Sequence, residues 1–184
     1  MNLPNAITLG RLLAVPLVVW LILSRYDTAA FALFAAAGIS DAIDGLIAKR
    51  YGLVTDIGRY LDPIADKVLL VSVYLTLGHT DQVPAWLVIL VVSRDLLIVG
   101  GALLANTLGM KVPIQPLVIS KVNTGAQIVL AAVVMGESAL ATGAPMESLE
   151  QALWAVVAAT TVLSGLSYLI RWAKRLREYA GDHD

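Results

Sequence analysis

Six long runs of apolar residues follow one another along this chain, at roughly 4–23, 29–48, 60–77, 84–108, 119–135 and 149–170. Each approaches the ~20 residues that a helix needs to cross the hydrocarbon core of a bilayer. Short polar, glycine- or proline-bearing segments separate them, at 24–28, 49–59, 78–83, 109–116 and 136–148. None of these is long enough for a further domain, and no repeat is visible. The pattern predicts an all-α polytopic membrane protein, with about six transmembrane helices in a single domain over 1–184.

Composition sharpens that picture. Hydrophobic types make up 58% of the chain and charged types 15%, against about half and about a quarter in a soluble domain. One small core cannot hide such an excess, and disorder, collagen and coiled coil are excluded by the same figures. The net charge of −1 gives no basis for a nucleic-acid partner. Cysteine is absent, which excludes disulfides, thiolate nucleophiles, iron–sulfur clusters and cysteine zinc sites.

Charge placement predicts topology. The N-terminus lacks the basic leader of a cleaved signal, and Arg11 interrupts its apolar run, so the first run is expected to persist as a span. With that end cytoplasmic, Lys49, Arg50, Arg59, Lys111, Lys121, Arg171, Lys174, Arg175 and Arg177 share its side and only Arg25 opposes them. Basic residues gather on the cytoplasmic side of membrane proteins, so both termini are expected there. The basic segment 171–178 suits a stop-transfer tail or contact with anionic headgroups.

Carboxylates carry the candidate chemistry. Asp41 and Asp44 end the second run, and Asp62 and Asp66 begin the third. Spacings of three and four put each pair on one helix face. The 49–59 loop folds the third span back along the second, so the pairs can oppose each other just inside the cytoplasmic boundary. Four carboxylates at close range cannot all stay ionised without cations. Oxygen donors favour Mg²⁺ or Mn²⁺ over Zn²⁺. Two such ions suit phosphoryl chemistry, polarising a diphosphate and stabilising the attacking and leaving oxygens. Gly45 and Gly58 permit close approach of a ligand, and Lys49, Arg50 and Arg59 add positive charge. The plainer alternative makes Asp62 the N-cap before Pro63 and pairs Asp66 with Lys67 at the surface.

Asp41, Asp44, Gly45, Ala48, Gly58, Asp62 and Asp66 stand in a fixed frame. That frame resembles the signature D-x2-D-G-x2-A-R-x8-G-x3-D-x3-D of the CDP-alcohol phosphatidyltransferases. Lys49 departs from it where the family has Arg, keeping charge but losing the bidentate fork. The resemblance spans nearly the whole chain. The opening Leu3-Pro4-Asn5-Ala6-Ile7-Thr8-Leu9-Gly10-Arg11 is similar to the start of bacterial and mitochondrial phospholipid synthases of this family. Ser93-Arg94-Asp95, and Ser120-Lys121-Val122-Asn123-Thr124 with Gln127, resemble the CMP-forming cardiolipin synthase subgroup. Phosphatidylglycerophosphate synthases are the close alternative.

The resemblance implies transfer of a phosphatidyl group from CDP-diacylglycerol to phosphatidylglycerol, giving cardiolipin and CMP. It implies two divalent cations (Mg²⁺ or Mn²⁺) on Asp41, Asp44, Asp62 and Asp66, with Asp66 also the catalytic base. Asn5, Thr8, Arg11, Asp41, Gly45, Ala48, Lys49 and Gly58 would surround the CDP moiety. Arg94 and Lys121 are the candidates for the acceptor phosphate. An internal ion pair, with Asp95 among the partners, is the alternative for Arg94. A homodimer in a bacterial inner membrane, with its site on the cytoplasmic side, completes the expectation.

A cation or proton transporter is the rival of another class, disfavoured because the acids cluster at one edge rather than cross the membrane. A catalytically dead subunit is disfavoured because all four acids are present. His79 and His183 lie away from the cluster. Trp20, Trp86, Trp154 and Trp172 suit belt or packing positions. Gly100 and Gly101 suit close helix packing or a dimer contact.

Overall fold

The computed structural model of the chain describes residues 3–51, 56–107, 117–140 and 147–181; side chains at 3–8, 41–51, 56–64, 102–103, 105–106, 147 and 175–181 lie outside that description. Every described element is a helix, in the order α1 (Leu3–Leu23), α2 (Asp27–Tyr51), α3 (Asp56–His79), α4 (Ala85–Thr107), α5 (Val118–Leu140) and α6 (Glu147–Gly181). The six apolar runs each became a helix, and most helices outrun their apolar stretch. Backbone hydrogen bonding, not hydropathy, sets where a helix stops. Thus α3 opens at Asp56, which puts Asp62 and Pro63 inside the helix rather than at its cap. Likewise α6 continues from the predicted 170 to Gly181. At about 1.5 Å per residue its 35 residues reach about 52 Å, well beyond a hydrocarbon core of about 30 Å.

Two helical stretches, Val118–Leu140 and Ser148–Lys174, are both long and apolar enough to cross a membrane. Leu9–Leu23 and Asp27–Ser40 are shorter apolar stretches.

The chain divides into two compact units, Met1–Ala85 with Ala131–Ser148, and Trp86–Leu130 with Leu149–Asp184. In the first, α1 packs against both α2 and α3. Its buried stripe reads Arg11, Val15, Val18, Ile22, the four- and three-residue steps of one helix face. Leu69, Leu70, Val73, Tyr74 and Leu77 form the matching stripe of α3. The α1 and α3 helices end alike. Arg25 and Asp81 take left-handed φ of 60° and 58°. The next amides, of Tyr26 and Gln82, reach back to the carbonyls of Leu21 and Leu77, both at 2.9 Å. This six-to-one closure satisfies carbonyls that the helix leaves open and reverses the chain within a few residues. Ser138 of α5 donates to Gln82 Oε1 at 2.9 Å, and a Cβ at Gly136 would lie 3.6 Å from the Phe31 ring.

The second unit is polar inside. Arg94, Asp95, Asn123, Gln127, Thr161 and Ser164 are all buried, beside Leu87, Val91, Leu130 and Val157. Apolar side chains point outward throughout the molecule. Leu13 is 67% exposed, Ile89 65%, Leu96 66% and Ile170 69%. Soluble proteins do not carry apolar surface on this scale without covering it. A lipid environment solvates it at no cost.

Candidate active site

Asp41 and Asp44 lie near the C-terminal end of α2, and Asp62 and Asp66 near the N-terminal end of α3. Their helical placement preserves the shared faces that spacing predicts. The side chains of Asp41, Asp44, Asp62, Gly45, Ala48, Lys49, Gly58, Asn5 and Thr8 lie outside the described residues. The described part of the cluster is Asp66 with Arg11. No grouping of three or more acidic or histidine side chains that could hold a metal ion occurs among the described residues.

The side chain of Asp66 is 44% exposed, whereas that of Arg11 is 4% exposed. Arg11 Nη1 donates to Asp66 Oδ1, closing an ion pair from α1 to α3. Each group makes further polar or electrostatic contacts as well. A buried guanidinium is tolerated only with an anion at hand. The α1 stripe puts Arg11 inward, and α3 supplies the anion. The sequence placed these residues in separate roles, one on the donor and one on the metals; the structure joins them. A carboxylate half-open to solvent offers the kind of oxygen donor that a hard divalent ion takes. Asp41 and Asp44 are three residues apart in α2, and Asp62 is four residues before Asp66 in α3.

The second unit gathers the two later sequence motifs. Arg94 Nη1 donates to Asp95 Oδ1 at 2.7 Å, Nη2 donates to the hydroxyls of Ser120 and Ser164, and Nε donates to Ser164 at 3.1 Å. Arg94 is therefore held within α4, α5 and α6, the internal pairing that the sequence left open. Side chains at consecutive helix positions diverge, but the long arginine folds back to its neighbour. Lys121, beside Ser120, is exposed. One turn on, Asn123 Oδ1 accepts from Thr160 at 2.9 Å and Thr161 at 2.8 Å.

Sequence reading missed the contribution of α6. The available signal was the row Thr160, Thr161, Ser164, Ser167 at helical spacing inside an apolar run. Intramembrane polar residues join helices or serve function.

A model of the CDP-alcohol phosphatidyltransferase family matches residues 1–167. A rice (Oryza sativa subsp. japonica) chloroplastic protein named CDP-diacylglycerol–glycerol-3-phosphate 3-phosphatidyltransferase 1 is 36% identical, over 94% of this chain and 57% of its own. A Drosophila melanogaster protein named probable cardiolipin synthase (CMP-forming) is 31% identical, over 92% of this chain and 57% of its own. The chain thus spans little more than half the length of these two relatives. A Bacillus subtilis protein with the glycerol-3-phosphate 3-phosphatidyltransferase name is 32% identical, over 91% of this chain and 93% of its own. The relatives carry both acceptor names, and the matched family covers the α2–α3 cluster and the α4–α6 network together. This chain belongs to the CDP-alcohol phosphatidyltransferase family.

Proposed function

We propose that the protein transfers the phosphatidyl group of CDP-diacylglycerol to phosphatidylglycerol, releasing CMP and cardiolipin. The observation that carries the choice of acceptor is the Arg94–Asp95–Ser120 contact. It joins in one buried network the two segments that resemble cardiolipin synthases. The glycerol-3-phosphate reading draws on the rice and B. subtilis relatives. A phosphomonoester carries more charge than a diester and calls for a denser basic pocket than Arg94 and Lys121 form.

In this reading all six helices lie in the membrane, both termini are cytoplasmic and the protein is a homodimer in a bacterial inner membrane. Two divalent ions held by Asp41, Asp44, Asp62 and Asp66 would polarise the donor's diphosphate and lower the pKa of the acceptor hydroxyl. Asp66 takes the proton of that hydroxyl as its oxygen bonds to the phosphorus bearing diacylglycerol. The phosphoanhydride bond breaks, and CMP departs with the bridging oxygen. Asn5, Thr8, Arg11, Gly45, Ala48, Lys49 and Gly58 hold the CDP end, Arg11 and Lys49 as cations for the phosphates. Lys121 is the accessible cation for the acceptor's phosphodiester. Arg94 stands behind it through Ser120 and exchanges a hydroxyl partner for a phosphate oxygen.

Steady-state kinetics of Arg94→Lys in mixed micelles tests the acceptor assignment. A compact ammonium cannot reproduce the fork that reaches Asp95, Ser120 and Ser164. The expected result is a KM for phosphatidylglycerol raised about tenfold, with the KM for CDP-diacylglycerol unchanged. Equal rises for both lipids contradict the assignment.

A further inference from the structure

Arg11 is the one charged residue on the buried stripe of α1, and its cation rests on the acid to which the proposed chemistry assigns both metal and proton. These demands conflict. A guanidinium and a divalent ion on one carboxylate repel each other, most strongly where water is scarce. Giving up this carboxylate costs a buried guanidinium part of its compensation. The conflict disappears when a second anion arrives. A diphosphate accepts a guanidinium through two parallel hydrogen bonds.

We propose that Arg11 is a displaceable counter-ion: it holds Asp66 in the substrate-free protein and passes to the donor's diphosphate as divalent ions take the carboxylate. The inference rests on the metal-site reading above. Its consequence is coupling. Divalent ions bind weakly without the nucleotide because they must displace Arg11. The nucleotide both ligates the ions and receives the displaced cation, so each promotes the other. A substrate-free site that holds its own cation stays closed to stray divalent ions. Arg11 acts here as a positioning residue, through the order in which ligands assemble.

The test is a Mn²⁺ binding isotherm on the full chain in nanodiscs, read by the paramagnetic resonance of free Mn²⁺, with and without CDP. Wild type is compared with Arg11→Met and Arg11→Lys. Without CDP, Arg11→Met should bind Mn²⁺ about tenfold more tightly than wild type, within the usual range of coupling. Its gain on adding CDP should shrink correspondingly. Arg11→Lys, which keeps the cation, should stay near wild type without CDP. Unchanged or weaker Mn²⁺ binding by folded Arg11→Met overturns the exchange. Should that variant fail to fold, infrared difference spectra of wild type on adding Mn²⁺ and CDP decide. Guanidinium bands that shift in wild type and are missing in Arg11→Lys support the exchange, and unshifted bands overturn it. Failure of wild type to bind Mn²⁺ even with CDP overturns the metal site beneath the inference.

Discussion

Asp66 is half-open to solvent yet tied to a buried arginine on another helix, a setting that orients it. In the proposed reaction it is both metal ligand and base. Asp66→Asn should lower the rate of CMP release by a factor of about 10²–10⁴, the usual contribution of a positioned acid–base group. Because Asn keeps a hydrogen-bond acceptor but takes this anion from buried Arg11, the variant should also melt lower than wild type, and rates are compared at a temperature where the melting curves show both folded. The four acids were legible in sequence because their spacing is a property of single helices. The Arg11–Asp66 pair was not, because periodicity shows which face of α1 is buried but not which helix lies against it. Arg94 shows the same limit. Its burial mid-helix demanded an anion, but only the fold shows Asp95 supplying it, with Ser120 and Ser164 completing the shell.

Elements follow the apolar runs at their centres and depart from them at their ends. Hydropathy sees only the part of a helix that suits lipid, so the amphiphilic first turns of α3 and the basic end of α6 were invisible to it. The Gly100–Gly101 pair illustrates a finer distinction. A Cβ at Gly101 would lie 2.6 Å from Trp172 Cζ2, so α4 meets the indole of α6 there only because the side chain is missing. Gly100 has nothing within 4 Å of such a Cβ. Gly101→Ala should destabilise the protein by about 1–3 kcal/mol, the cost of overpacking. Gly100→Ala should be neutral or stabilising by up to about 1 kcal/mol, because alanine is the better helix former. Thermal unfolding of the two variants in detergent distinguishes them, and equal effects would contradict the packing described here.

Over the whole molecule, the described apolar side chains divide between an interior and an outward face: Ile22, Leu77, Leu87 and Leu130 are buried, Leu13, Ile89, Leu96 and Ile170 are exposed, and Arg94, Asp95, Asn123 and Thr161 are buried as well. Composition anticipated the outward face, because the apolar excess is too large for any interior. The family too was legible, because its signature is local in sequence and survives as two helix faces. The acceptor was not, because the proposed one rests on how α4, α5 and α6 bring Arg94, Ser120 and Ser164 together. One measurement bears most directly on the central claim. The purified protein, supplied with CDP-diacylglycerol and Mg²⁺, is offered phosphatidylglycerol or glycerol-3-phosphate in separate reactions, and the nucleotide and lipid products are identified. CMP and cardiolipin formed with phosphatidylglycerol, and no product with glycerol-3-phosphate, is the expected result. Phosphatidylglycerophosphate formed from glycerol-3-phosphate, without cardiolipin in the other reaction, would contradict the proposed acceptor.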